Sequence, residues 1–352
     1  MASGGQGRIG AGIPSGTIWP NDYGRYVELV GVAQDILGRS GVKAGTKVAL
    51  NADTRKNRNL VDAFFAAALA LKADAVLLLS PPRREMYQEM PPLVMAAIEK
   101  AEIVVNLLTV SHFYTESTSR AIDAGAGILA IWGSEDDLIK LEPSDDVAAR
   151  VFQVAGVLER GEKVTFHSPG GTNVTLSKRG RRPHASPGYA HERYNWFAIP
   201  SATASASAIE DSVEGTVVIG PGDKLHKLMH TVQEPIRVEI RKGRITSIEG
   251  GPEADLLRSW FDSWGDDNVR TFAHLTIGCD DRASIHGPHA EWEHSLGTVT
   301  FGFGSNFPKP MGGKVRAASH MDFMMQNVSC EVDGVPLLVN GRVVGIGMEA
   351  AV

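Results

Sequence analysis

The sequence predicts an α/β chain whose second half changes to a mostly antiparallel α+β arrangement. Three observations carry this. In the first 150 residues, short continuous apolar runs alternate with stretches of helical pattern, as parallel strands covered on both faces require. From about Lys163 the runs become shorter and β-branched and are divided by the turn pairs Gly170-Gly171, Lys242-Gly243, Asp333-Gly334 and Asn340-Gly341. The length of 352 residues suits about two domains of roughly 100–200 residues each. The expected division is 1–150 for a Rossmann-like parallel domain and 151–352 for an α+β domain.

The first domain is read in order. KVALNA (47–52) is a buried-type strand, and the Ala- and Leu-rich NRNLVDAFFAAALALK (57–72) is a helix. AVLLL (75–79) is the next strand, followed by a helix through 93–101 and the strand EIVVNLL (102–108). A helical stretch near 117–124 leads to the strand GILAIW (127–132). Ligands of such sheets bind beyond the carboxyl ends of the strands, which directs attention to Asp53–Arg55 and Thr109–His112. GRIGAG (7–12) resembles a degraded dinucleotide fingerprint, but no strand pattern precedes it and no helix pattern follows. It is read as an amino-terminal arm, and no nucleotide cofactor is expected.

A helix near Asp145–Leu158 bridges to the second domain. There SCEV, VPLLV and RVVGI are separated by Asp-Gly and Asn-Gly, the dipeptides of two-residue hairpin turns with both φ values positive. One helix, Glu253–Trp264, interrupts the strands.

Composition narrows the function classes. Thirty-five basic against 41 acidic residues give a net charge of −6, so the basic face of a nucleic-acid binder is not expected. The longest apolar stretch, Leu60–Leu71, contains Asp62 and is far short of the ~20 residues of a membrane span. No secretory h-region is visible in the first twenty residues, and a cytoplasmic location is expected. Two cysteines, Cys279 and Cys330, form no disulfide framework, while there are eleven histidines. A bound metal would therefore be held by imidazole and carboxylate.

The chemistry-bearing pattern is Ala-Ser-His-Met-Asp-Phe (318–323). On a strand, residues i and i+2 share a face, so His320 and Asp322 project into one space. They suit either two metal ligands or a hydrogen-bonded couple. His274, in the strand pattern RTFAHLTIG (270–278), lies 46 residues away and would come from a separate strand. Two histidines and one carboxylate match the facial triad of non-haem Fe(II) oxygenases. The alternative for these residues is a core histidine and a turn aspartate.

GTVTFGFGSN (297–306), MGGK (311–314) and SHMDFMM (319–325) resemble the closing part of the 2,5-dihydroxypyridine 5,6-dioxygenases, which share a fold with leucyl aminopeptidase T-like metallopeptidases. VTFHSPGGTNV (164–174) and RTFAHLTIGCD (270–280) extend the likeness over most of the second half. The peptidase pattern has a glutamate where this chain has His274 and a histidine where it has Thr300, and its Pro-Thr-Glu-Glu becomes Ile199-Pro200-Ser201-Ala202. The resemblance thus implies a single Fe(II) held by His274, His320 and Asp322, with a peptidase or other metallohydrolase as the alternative. It implies a small aromatic N-heterocyclic substrate with O₂, ring opening of 2,5-dihydroxypyridine to N-formylmaleamate, and a homo-oligomer. His191 and Tyr194, in the loop-like stretch 183–200, are the expected catalytic groups, with His184 behind them. Ser305, Asn306 and Thr300 are expected to contact substrate. HGPHAEWEH (286–294) offers five possible ligands, but Gly-Pro makes it a loop, and the resemblance places no ligand there.

Overall fold

The computed structural model describes residues 21–84, 88–110, 113–306 and 312–344. Gly7–Gly12, His112, Met311 and the end of the RVVGI run lie outside the described residues. The first sheet is parallel, in the order β2-β1-β3-β4-β8, with β1 (Lys47–Asp53), β2 (Asp74–Ser80), β3 (Ile103–Leu107), β4 (Gly127–Ile131) and β8 (Asn195–Ile199). One face packs on α1 (Asn21–Arg39), α2 (Arg58–Ala70) and α5 (Glu135–Lys140) through Leu29, Ile36, Phe64 and Leu138. The other packs on α3 (Pro92–Ile98) and α4 (Glu116–Asp123) through Met95, Ile98 and Ile122. The strands expected from the apolar runs are present; β3 and β4 are buried throughout, and β2, at the sheet edge, is only half-buried. Helix α2 starts where the Asn57 side chain accepts from the amides of Asn59 and Leu60. Helix α1 was not expected: Gly24, Gly31 and Gly38 dilute its propensity, and packing on α2 compensates.

The remaining strands form two antiparallel sheets. The eight-stranded one contains β5 (Lys163–His167), β6 (Asn173–Ser177), β10 (Glu214–Ile219), β13 (Ile236–Arg241), β14 (Arg244–Glu249), β18 (Ser329–Val332), β19 (Val335–Val339) and β20 (Arg342–Val343). The seven-stranded one contains β7 (His184–Ser186), β9 (Thr203–Ser207), β11 (Lys224–Leu225), β12 (His230–Thr231), β15 (Phe272–Gly278), β16 (Val299–Gly304) and β17 (His320–Met325). They enclose one core, in which the Phe166 and Phe301 rings meet at 4.8 Å. Helices α6 (Asp145–Arg160) and α7 (Pro252–Asp262) add Val151, Leu158, Leu257 and Phe261 to it. The expected hairpins form at Lys242-Gly243, Asp333-Gly334 and Asn340-Gly341, all six residues having positive φ. Both cysteines are buried in this core, and burial pushes the Cys279 thiol up to about 12.

The division expected at residue 150 does not follow the sheets. Strand β8 lies beyond it in sequence and pairs parallel with β4, Leu129 opposite Phe197. The stretch 183–200, expected as a long loop leading to a strand, ends in β8 and also holds the short strand β7, one in each of two sheets. The apolar alternation of Asn-Trp-Phe-Ala-Ile satisfies a sheet edge, and only the tertiary path selects which sheet. Among the described residues no helix is long and apolar enough to cross a membrane.

Candidate metal centre and its cavity

The cavity lies between the carboxyl ends of β3, β4 and β8 and the open face of the seven-stranded sheet. Phe113, Tyr114, Trp132, Trp196 and Ala198 come from the first side, and Thr203, Ser205, His274, Thr276, His320, Asp322 and Met324 from the second. Strand alternation explains the second set. His320, Asp322 and Met324 face the cavity, while Met321, Phe323 and Met325 between them enter the core. Strand β16 separates β15 from β17, and Gly302 stands opposite both His274 and Asp322. The His274 imidazole crosses over Gly302, where a Cβ would lie only 2.4 Å from its Nε2.

Three ligand atoms converge there. His274 Nε2 and His320 Nε2 are 3.0 Å apart, His320 Nε2 is 3.0 Å from Asp322 Oδ1, and His274 Nε2 is 3.5 Å from the same oxygen. Among the described residues this is the one group whose donor atoms all lie within 4.8 Å of one another. The outer hydrogen bonds set its tautomers. His320 Nδ1 lies 2.8 Å from the Ser305 carbonyl, which only accepts, so Nδ1 carries the proton and Nε2 the lone pair. Gly304, at φ +110°, turns the chain so that this carbonyl reaches back to His320. His274 Nδ1 lies 3.1 Å from Thr276 Oγ1, which is 2.8 Å from Ser205 Oγ. Three electron-rich atoms meeting at this spacing need a positive charge among them. A divalent ion fits: two ligands cis to one another at ~2.1 Å from an octahedral centre lie about 3 Å apart.

Electrostatics favours the same state. Burial pushes His274 down to about 4, so it is neutral at pH 7. Burial alone would raise the Asp322 carboxyl, but the neighbouring imidazoles of His320 and His226, the latter hydrogen-bonded to it, reverse this and hold it well below the usual range. His226, in a 3₁₀ turn at His226–Leu228, has Nδ1 3.0 Å from Asp322 Oδ2. The carboxylate accepts from His226 through that oxygen and keeps Oδ1 for the centre. Lys227 and Glu293 also line the cavity. Burial and the nearby Asp322 charge push the Glu293 carboxyl up from its ordinary range.

A profile of the NicX family, 2,5-dihydroxypyridine 5,6-dioxygenase, matches residues 28–345. The chain belongs to this family. A curated relative, 2,5-dihydroxypyridine 5,6-dioxygenase of Pseudomonas putida strain KT2440, is 28% identical over 258 residues, 70% of this chain and 72% of the relative. The solved structure of the dioxygenase from that organism superposes with a TM-score of 0.84 at 24% identity, covering 91% of this chain and 98% of that one. AmpT from Thermus thermophilus shares the fold more distantly, at TM-score 0.59 and 14% identity over 91% of this chain and 99% of that chain.

The structure brings together His274, His320 and Asp322, with His184 at the cavity wall. His184 is buried between Trp196 and Phe197, and the Asn195 amide lies 3.3 Å from its Nδ1. His191 and Tyr194 are not among the cavity residues. His191 Nε2 is 3.0 Å from the Ala185 carbonyl, and its ring packs on Phe152 and Phe197, beside a separate shallow depression with Arg39 and Arg193. Tyr194 is 65% exposed at φ +61°, its ring against Gly125. Both lie in the turn joining β7 to β8, whose direction the sheets dictate. Ser305 and Asn306 are structural: Ser305 Oγ binds the backbone of Ala317, and Asn306 binds Ala273 and Val315. Thr300 is fully buried in the row of Thr276 and Met324 and does not line the cavity. Asp53 is occupied by Thr109 and by the amides of Arg55 and Lys56.

His226, Lys227, Thr276, Glu293 and Gly302 escaped sequence reasoning as individual residues. Only Glu293 had a signal, the ligand-rich run at 286–294. Thr276→Val removes the acceptor that orients His274. It is expected to weaken divalent-metal affinity about 10–100-fold, the usual cost of an outer-shell loss. Competition against a chelator measures this, and unchanged affinity contradicts the role.

Proposed function

We propose that the protein is a mononuclear Fe(II) dioxygenase that opens a hydroxypyridine ring, with 2,5-dihydroxypyridine as substrate and N-formylmaleamate as product. One observation carries the reading: a two-histidine, one-carboxylate triad opens on an aromatic-walled cavity of about 190 Å³. A cavity of ~150 Å³ holds benzene, so the space suits one substituted six-membered ring and is small for a peptide. Family membership supports the same substrate class.

His274 Nε2, His320 Nε2 and Asp322 Oδ1 would hold the metal. When bound, Fe(II) supplies electron exchange between an electron-rich ring and dioxygen, whose triplet state otherwise reacts slowly with closed-shell molecules. The protein's part is to hold the ring and manage its proton. Phe113 and Trp196, with ring centroids 4.5 Å apart, and Trp132 wall the space and exclude water. Tyr114 stacks on His320 at 5.0 Å and fixes its plane. With Nδ1 donating to Asp322, His226 keeps Nε2 as an acceptor for the substrate hydroxyl proton, and Asp322 balances the imidazolium that forms. His184, receiving the Asn195 amide at Nδ1, carries its proton on Nε2 and can donate to a ring oxygen.

The test is oxygen uptake after anaerobic loading with Fe(II). One O₂ should be consumed per 2,5-dihydroxypyridine, and His274→Ala, His320→Ala and Asp322→Ala should each lower the rate by at least about 10³-fold. No uptake by the loaded wild type, or full uptake by Asp322→Ala, overturns the proposal.

A further inference from the structure

Glu293 is the one carboxyl group besides Asp322 among the described residues of the cavity wall. Its position is built. The segment 286–296 is laid across the end of β15 by backbone bonds from Asp280 to the His294 carbonyl (2.8 Å) and from Leu296 to the Asp280 carbonyl (2.9 Å). Gly278 permits the approach, since a Cβ there would lie 2.6 Å from the Glu293 carbonyl oxygen. Buried Glu291 pins the same segment, bonding the Ser284 amide and Lys140. Glu293 and Thr276 line the same cavity as the metal triad, so the carboxyl group faces the space next to it.

A half-buried carboxyl group in an aromatic-walled cavity is costly unless a ligand completes its hydrogen bonds. The ring in the proposed function has a complementary edge. A 2-hydroxypyridine in its lactam form presents a ring N–H donor, and a carboxyl oxygen accepts it in either protonation state. A carbocyclic diol of the same shape has no N–H and cannot make this bond.

We propose that Glu293 is the specificity-determining residue that reads the nitrogen-containing edge of the substrate ring, selecting pyridinols over carbocyclic phenols. This rests on the hydroxypyridine reading above and extends it to the choice between ring types. Glu293 makes no bond to the reacting atoms in this scheme; it holds the ring.

The experiment measures binding of 2,5-dihydroxypyridine and of benzene-1,4-diol to the Fe(II)-loaded protein without oxygen, by titration calorimetry. Wild type should favour the pyridine by on the order of 10²-fold, the scale of leaving a buried polar group unpaired. Glu293→Leu should reduce this preference to within about threefold, with benzene-1,4-diol affinity little changed. Glu293→Gln, whose carboxamide oxygen still accepts the ring N–H, should keep most of it. Should the leucine variant fail to fold, Glu293→Asp, one methylene shorter, must lose the preference instead. An unaltered preference in a folded Glu293→Leu or Glu293→Asp protein overturns the assignment while leaving the hydroxypyridine reading intact. If wild type binds neither ring, that reading fails and the assignment falls with it.

Discussion

Gly302→Ala is expected to yield a folded protein that no longer holds a divalent ion. The glycine sits in the middle of β16, opposite His274 on one neighbour and Asp322 on the other. A methyl group there would meet Nε2, Cδ2 and Cε1 of His274 at 2.4, 2.7 and 2.9 Å. The imidazole must then swing away from the point where it meets His320 and Asp322. The backbone has no need of glycine at this position, since Gly302 is not among the residues with positive φ. The cost to stability is therefore limited to local overpacking, about 1–3 kcal/mol. Displacing a ligand from the centre should weaken metal binding by more than the 10–100-fold of an outer-shell change. Metal content after loading and desalting, together with a melting curve of the metal-free protein, measures the two effects separately. Wild-type metal content in the alanine variant contradicts this account of the site.

Acid should unfold the protein well before most carboxylates titrate. Burial pushes His184, His274, His289 and His294 each from 6.5 down to about 4. In the unfolded chain these imidazoles bind protons near pH 6.5, while in the native protein they wait until about pH 4. Between those values the unfolded state holds more protons, so stability rises with pH through the window and is lost as pH falls from 6.5 toward 4. Each such imidazole contributes a slope of about 1.4 kcal/mol per pH unit in mid-window. Urea midpoints from pH 7 to 4.5 give the total slope. His294→Asn, whose site is fully buried and away from the metal ligands, should lower it by about one proton's worth. A flat profile between pH 6.5 and 4.5 contradicts the assignment of neutral buried imidazoles.

The legible part of the site was the part encoded within one strand. His320 and Asp322 share a face because the side-chain period of a strand is two, and β17 realises this directly. His274 was legible only as a histidine in a strand pattern; its meeting with His320 depends on β16 lying between β15 and β17. His226 had no local signal at all, since its short 3₁₀ turn follows the two-residue strand β11, placed by pairing with β17. Glu293 was visible in a ligand-rich run, but the Gly-Pro turn beside it suggested solvent, whereas backbone pairing to Asp280 lays the segment over the cavity. His191 and Tyr194 erred in the opposite direction. Their stretch is rich in polar rings, but β7 and β8 occupy different sheets, so the turn between them points away from the triad.

The sequence by itself determined the two grammars of the fold, the hairpins at Asp333-Gly334 and Asn340-Gly341, the His-x-Asp pair and a cysteine count of two. These follow from local periodicity, turn chemistry and composition, which act over a few residues. The tertiary structure alone decided that β8 joins the parallel sheet, that Gly302 makes room for His274, and that His226 and Glu293 face the same cavity. Those are relations between residues about 30 to 100 positions apart in sequence, on the order of the loop lengths whose closure the chain must accomplish in folding. Strand order and close approach of backbone settle them, and neither leaves a trace in the spacing of a single segment.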